Sequence, residues 1–205
     1  MSFYSFPDFF IAAVKNTGSV EWIAIVTALF YVVLATRENA WCWIFGIISA
    51  ALYIYINYIG KLYLDSWLSL YYCVIGFYGW YIWVKKVPGK QENKLLRYMT
   101  TQEFIYSLII GSAGTILLGF LSKKFTDSPV PFFDAALTSF SLVATFLTTQ
   151  KILENWLFWI LIDAAYIIIY LNRAFPFTAL LNLIYTIIAV YGYIKWRKKL
   201  KISVA

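Results

Sequence analysis

The chain has 205 residues, 62% of them hydrophobic and 13% charged, with a formal net charge of +7 and a mean hydropathy of +0.72. A soluble domain of this size has no use for so much apolar surface, so lipid is the solvent for most of it. Histidine is absent, and so are paired cysteine ligands and a phosphate-cradling glycine loop with a lysine, which removes metal, nucleophile–base and ATP-driven chemistry and calls for no cofactor.

Residues 1–18 read as an interfacial segment, because Phe3, Phe6, Phe9, Phe10 and Ile11 suit the membrane–water boundary. The stretch Met1 to Thr17 has neither a basic start nor a small-residue cleavage pattern, so no signal peptide is expected. Apolar runs of roughly 18–22 residues, enough to cross a bilayer, then fall near 19–36, 40–59, 65–84, 103–121, 132–149, 155–172 and 177–195. Turn or charge signals separate them: Arg37-Glu38-Asn39, Gly60-Lys61, Pro88-Gly89-Lys90, Asp127-Ser128-Pro129, Lys151, and Arg173 to Pro176. In the fourth span Gly111, Gly114 and Gly119 suit close helix contact. The fifth is rich in Ser and Thr, whose hydroxyls bond carbonyls of the preceding turn. Cys42 and Cys73 lie in apolar segments and read as reduced packing residues.

One stretch occurs twice. Glu38-Asn39-Ala40-Trp41-Cys42-Trp43 aligns with Glu154-Asn155-Trp156-Leu157-Phe158-Trp159, and Tyr78-Gly79-Trp80 with Tyr191-Gly192-Tyr193. Ser69 and Tyr72 line up with Asn182 and Tyr185, and Glu21 with Asp134. The duplication divides the chain into a first three-helix repeat (19–87), a loop and linker helix (88–130), a second repeat (131–199) and a tail (200–205). Three crossings per repeat, with a single helix between, start both copies on the same side. The fold class is therefore an all-α membrane protein of seven transmembrane helices, two parallel three-helix repeats joined by a linker helix. Basic residues set its orientation: Lys15, Lys61, Lys123, Lys124 and Arg173 fall on one face, and Arg37, Lys85, Lys86, Lys90, Lys94, Arg97, Lys151, Lys195, Arg197, Lys198, Lys199 and Lys201 on the other. The second face is expected in the cytoplasm, with the N-terminus outside and the C-terminus inside. The basic tail follows from that topology, so no nucleic-acid partner is called for.

Asp163 stands near the middle of the sixth span, where an unpaired carboxylate costs about 2.5–3.5 kcal/mol on insertion scales. Asn155, Trp159 and Asp163 share one helical stripe, which Tyr166 and Tyr170 continue. Lipid does not reward that face, so it should point inward. Asn182, Tyr185 and Thr186 form a second polar-aromatic face in the seventh span, with Tyr72 and Ser69 as counterparts in the third. Two readings of Asp163 stand. It neutralises a fixed positive charge on a flat ligand, with Trp159 and tyrosines adding cation–π attraction, or it bonds a neighbouring Tyr or Thr and pins helix packing. Buried Asn182 likewise suits either ligand contact or helix glue. Trp22, Trp41, Trp67 and Trp196 read as interfacial anchors, as do Trp80 and Trp83; Trp43 and Trp156 are ambiguous.

The Glu-Asn-x-Trp-x-Trp start, the Trp159–Asp163 pair, the Tyr-Gly-[Trp/Tyr] exit and the three-one-three duplication together resemble the nicotinamide riboside transporter family, the PnuC type, over residues 19 to 200. The resemblance implies a multi-pass vitamin transporter of the bacterial inner membrane with SWEET-like architecture. It implies facilitated diffusion, made one-way by a cytoplasmic kinase that phosphorylates the substrate, and self-association into a homo-oligomer is compatible with it. Relatives carry nicotinamide riboside, thiamine or riboflavin. The first two are permanent aromatic cations that suit Asp163 beside Trp159; riboflavin is neutral and larger. Ile47 falls opposite Asp163 in this alignment, so the charge belongs to one repeat only. The expected substrate-binding residues are Trp159, Asp163, Asn182, Tyr185, Tyr166, Asn155, Trp43 and Tyr72. A membrane enzyme and a small-molecule receptor are the readings from other classes.

Overall fold

The structure, a computed structural model, describes residues 17–60, 63–85, 95–126, 128–172 and 175–204. The interfacial segment expected around Phe3 to Ile11 lies outside the described residues, as do Lys15, Lys61, Lys86, Lys90, Lys94 and Arg173. The described chain forms seven helices: α1 (Ser19–Thr36), α2 (Trp41–Ile59), α3 (Tyr63–Val84), α4 (Thr101–Phe125), α5 (Pro131–Thr149), α6 (Asn155–Asn172) and α7 (Pro176–Val204). Among the described residues the β pairing is a single isolated bridge, Arg97 with Ile152. Six helices are long and apolar enough to cross a membrane. The exception, α3, has the length at 22 residues, but its many Tyr and Trp rings lower its hydropathy without adding charge. The helix α7 has 29 residues, about 43 Å at 1.5 Å per residue. It therefore outruns a bilayer core of about 30 Å. The tail expected from residue 200 is a continuation of this helix, not a separate segment.

Helix α1 packs against α2 and α7, α3 against α2 and α5, and α6 against α5 and α7. Those six helices close a ring. Exchanging α1, α2 and α3 for α5, α6 and α7 returns the same neighbours, so the ring has the two-fold pseudo-symmetry of parallel repeats. Helix α4 stands outside it, packed on α5. Gly111, Gly114 and Gly119 allow this approach: a Cβ at these positions would run into Phe140, Ser139 and Phe132 of α5. The Ser139 hydroxyl also donates to the Gly111 carbonyl at 2.9 Å. Three further hydroxyls of α5 turn back on their own helix, with Ser141 donating to the Leu137 carbonyl, Thr145 to Ser141 and Thr148 to Ala144. Thr100 and Glu103 form a reciprocal capping box at the start of α4, and Arg97 grips both Glu103 oxygens at 2.8 and 2.6 Å. Just before it, the extended segment 95–100 crosses the α5–α6 loop. The Arg97 amide donates to the Lys151 carbonyl (3.1 Å) and the Leu153 amide to the Arg97 carbonyl (2.9 Å). The Met99 amide donates to the Glu154 carboxylate at 2.7 Å.

The structure corrects the register of the duplication within α2 and α6. Trp43 covers Gly79 and meets Trp83 edge-on at 5.5 Å; Trp156 covers Gly192 and meets Trp196 edge-on at 5.3 Å. Both non-glycine residues with positive φ among the described residues, Glu38 (52°) and Lys151 (53°), occupy the same position in their loops. A single sequence offset thus pairs Trp43 with Trp156, Glu38 with Lys151, Ser69 with Asn182 and Tyr72 with Tyr185. The shared Glu-Asn dipeptide aligns Glu38 with Glu154 and puts these two helices three residues out of step. The true counterparts of Trp159 and Asp163 are Gly46 and Ala50, not Trp43 and Ile47.

Replacing Gly114 by Val forces a branched side chain against Ser139 at the α4–α5 contact. A destabilisation of about 1–3 kcal/mol is expected, read as a lower melting temperature of the detergent-solubilised protein.

Candidate functional site

All six ring helices line one cavity of about 320 Å³. At the end where the α1–α2 and α5–α6 loops lie, hereafter the basic face, a layer of indoles closes it. Trp43 stacks edge-on to Trp83, Trp83 lies 6.3 Å from Trp196, and Trp196 is edge-on to Trp156. Trp83 and Trp196 are fully buried here, which corrects their reading as interfacial anchors. Each indole crosses to the other repeat. Trp83 Nε1–H donates to the carbonyls of Thr149 (3.1 Å) and Thr148 (3.3 Å), and Trp196 Nε1–H to that of Thr36 (3.2 Å).

Trp43 (1% exposed) and Trp156 (2%) line the cavity floor. Their indole N–H groups are buried with no partner among the described residues. A buried donor left unpaired costs about 1–3 kcal/mol, and these two are equivalent under the repeat. They are a matched pair of donors available to a polar ligand. Sequence reasoning left Trp156 ambiguous and omitted Tyr31 and Tyr53, which also line the wall. The repeat carries the missing signal once its register is right, since Tyr53 is the counterpart of Tyr166 and Trp156 that of Trp43.

Above the floor the wall is asymmetric. On α6, Trp159, Asp163 and Tyr166 project inward from successive turns. At the equivalent places α2 offers Gly46 and Ala50, and the Tyr31 ring packs against Gly46. Asp163 is 7% exposed, and no side chain or amide among the described residues donates a hydrogen bond to it or forms an ion pair with it. Tyr72, Tyr166 and Tyr185 line the same cavity. On α7, Asn182 uses one amide hydrogen on the Thr178 carbonyl (2.8 Å) and, with Tyr185, reaches the wall. Ser69, its counterpart, has its hydroxyl committed to the Asp65 carbonyl (2.8 Å) and accepts from Asn57 (3.2 Å).

The cavity thus gathers Trp43, Tyr72, Trp159, Asp163, Tyr166, Asn182 and Tyr185. Asn155 does not join them. It is fully buried behind the wall, accepting from Thr148 Oγ1 (3.0 Å) and donating to the Ile152 carbonyl (2.6 Å). As the first residue of α6, it pins the α5–α6 loop. Its place on the Trp159–Asp163 stripe suggested otherwise because periodicity gives direction but not depth.

A family profile described as nicotinamide mononucleotide transporter matches residues 18–198. The chain belongs to that family. Members of the nicotinamide mononucleotide transporter family are membrane transporters rather than enzymes, which sets aside the enzyme and receptor readings. Among similar relatives is the nicotinamide riboside transporter PnuC of Escherichia coli K12, 22% identical, with 96% of this chain and 94% of the relative covered. The PnuC of Neisseria mucosa is 27% identical over 87% of this chain and 72% of its own. A riboflavin/roseoflavin transporter, RibM of Streptomyces davaonensis, is 21% identical over 86% and 83%. A crystal structure of the vitamin B3 transporter PnuC superimposes with a TM-score of 0.71 at 26% identity, covering 94% of this chain and 88% of that one.

Asn155→Ala is expected to lower thermal stability by about 1–3 kcal/mol, through the stranded Thr148 and Ile152 partners. Ligand affinity in calorimetry should stay within about twofold, since affinity would fall only if the side chain faced the cavity.

Proposed function

We propose that this chain carries nicotinamide riboside into the bacterial cytoplasm by facilitated diffusion. The observation that carries the reading is the Asp163 carboxylate, buried in one cavity with Trp159 and three phenols and given no hydrogen bond by the described residues. A buried charge needs a counter-charge, and a flat cation supplies one while stacking on aromatic faces. Nicotinamide riboside brings a permanent pyridinium, which suits Asp163, and ribose hydroxyls, which suit the unpaired indole donors of Trp43 and Trp156. A cavity of about 320 Å³ is at the small end of ligand pockets and fits a nucleoside better than the larger, neutral riboflavin.

The phosphorylated form fits less well. Among the described residues neither Lys nor Arg lines the cavity, so a phosphate would meet Asp163 without a counter-ion there. Phosphorylation by a cytoplasmic kinase would then trap the product, because the mononucleotide cannot re-enter the site that admitted the nucleoside. The basic face is the cytoplasmic one in this reading. Among described residues it collects Arg37, Lys85, Arg97, Lys151, Lys195, Arg197, Lys198, Lys199 and Lys201, against Lys123 and Lys124 opposite. Thiamine is the second reading, since its aromatic cation uses Asp163 in the same way.

Calorimetry of the purified protein against nicotinamide riboside, thiamine and riboflavin in parallel decides between them, and the cation that binds names the substrate. Asp163→Asn is expected to weaken its binding by about tenfold or more. Unchanged affinity removes the counter-ion role. Sealed liposomes holding this protein alone should show counterflow of the bound vitamin without an imposed ion gradient.

A further inference from the structure

Among the described residues the ion pairs and crossed indole bonds between the two repeats lie at the basic face, and at mid-depth the Tyr71 hydroxyl donates to the Leu142 carbonyl at 3.2 Å. At the basic face the indoles of Trp83 and Trp196 cross to carbonyls of the opposite repeat. Beyond them Lys151 Nζ lies 3.7 Å from Glu38 Oε2 and 4.8 Å from the centroid of the Trp83 ring. In the opposite half the repeats meet through packing, such as Trp22 edge-on to Phe177 at 5.8 Å. Glu38 and Lys151 are equivalent residues of the two copies, with matching backbone angles. A contact between equivalent residues lies on the pseudo-two-fold axis, so no separation of the repeats at this end leaves it intact.

We infer that the Glu38–Lys151 pair, with the two crossed indole bonds, is the gate on the basic face, and that Glu38 acts in gating rather than in ligand binding. Glu38 and Lys151 line no part of the cavity, so the pair has no ligand to hold. Their side chains are only 12% and 7% exposed. A buried pair that makes no direct hydrogen bond contributes little net stability, because desolvation offsets the attraction. It serves better as a contact that is made and broken. The third member supports this. Lys199 Nζ bonds the other Glu38 oxygen at 2.8 Å from a side chain that is 65% exposed, so the carboxylate keeps a cation when Lys151 withdraws. Opening then costs one long ion pair, two indole bonds and the Gln150–Tyr78 bond (3.3 Å), and the water that enters between the parted repeats solvates Lys151. The inference rests on this being a transporter and not on which vitamin it carries.

The chain contains its own reporter. Cys42 is fully buried in the same cluster as Trp43, Trp83 and Trp196. In proteoliposomes of the Cys73→Ser protein, without substrate, Glu38→Gln and Trp83→Phe are each expected to raise maleimide labelling of Cys42 about tenfold. Affinity for nicotinamide riboside in Glu38→Gln should stay within about threefold. A buried cysteine at the far end of α1, made by Ala24→Cys in a background with Cys42 and Cys73 replaced by serine, should keep its parent rate in Glu38→Gln. Unchanged Cys42 labelling in both variants overturns the gate. So does a parallel rise at position 24, which would mean general loosening, or a loss of affinity matching the change in flux. Raised labelling with no nicotinamide riboside binding in any variant keeps the gate and sinks the substrate reading instead.

Discussion

The last carbonyls of an α-helix have no partner within the helix, and inside a membrane water is not there to supply one. In this protein the ends of α1 and α5 meet that constraint by borrowing from each other's repeat. The Thr36 carbonyl is reached by Trp196 of the second copy, and the Thr149 carbonyl by Trp83 of the first. Much else follows from this exchange. It draws four indoles into one layer, it requires Gly79 and Gly192 where Trp43 and Trp156 lie flat, and it closes one end of the cavity. The floor of the site and the joint between the repeats are therefore the same set of side chains.

Above that floor the two-fold symmetry is given up at a few positions. Gly46 against Trp159, Ala50 against Asp163 and Ser69 against Asn182 put the charge and the larger polar groups on the second copy. Tyr31 occupies the space that Gly46 leaves open. A flat ligand with charge at one end and hydroxyls at the other is itself asymmetric. A symmetric frame with a lopsided lining can hold it in one orientation while the two copies still present equivalent joints to each other at the basic face.

The spans were legible because lipid selects for apolar runs as strongly as any solvent, and glycine spacing foretold how α4 docks. Asp163 stood out because no ordinary packing residue is a carboxylate at mid-bilayer. The errors have physical causes too. Trp83 and Trp196 sit at span ends, where composition cannot tell a lipid-facing anchor from a ring turned inward, and only the crossed bonds decide. Asn155 repeats the Asn39 dipeptide by coincidence, and that match masked the register set by the glycine-supported tryptophans. Loop turns with positive φ at Glu38 and Lys151 are invisible in residue type, since neither residue favours that conformation.

The segment 95–100 ties down the α5–α6 loop and not its twin between α1 and α2, and α4 braces α5 and not α1. The two copies are thus unequal in mass and in stiffness. Helices α4 to α6 with their strap form the more heavily braced body. The α1–α3 bundle, held at its own loop by Glu38 contacts from Lys151 and the exposed Lys199, is the lighter arm of the lever. The braced copy is the one that carries Asp163, and the wall opposite that carboxylate belongs to the copy with fewer ties.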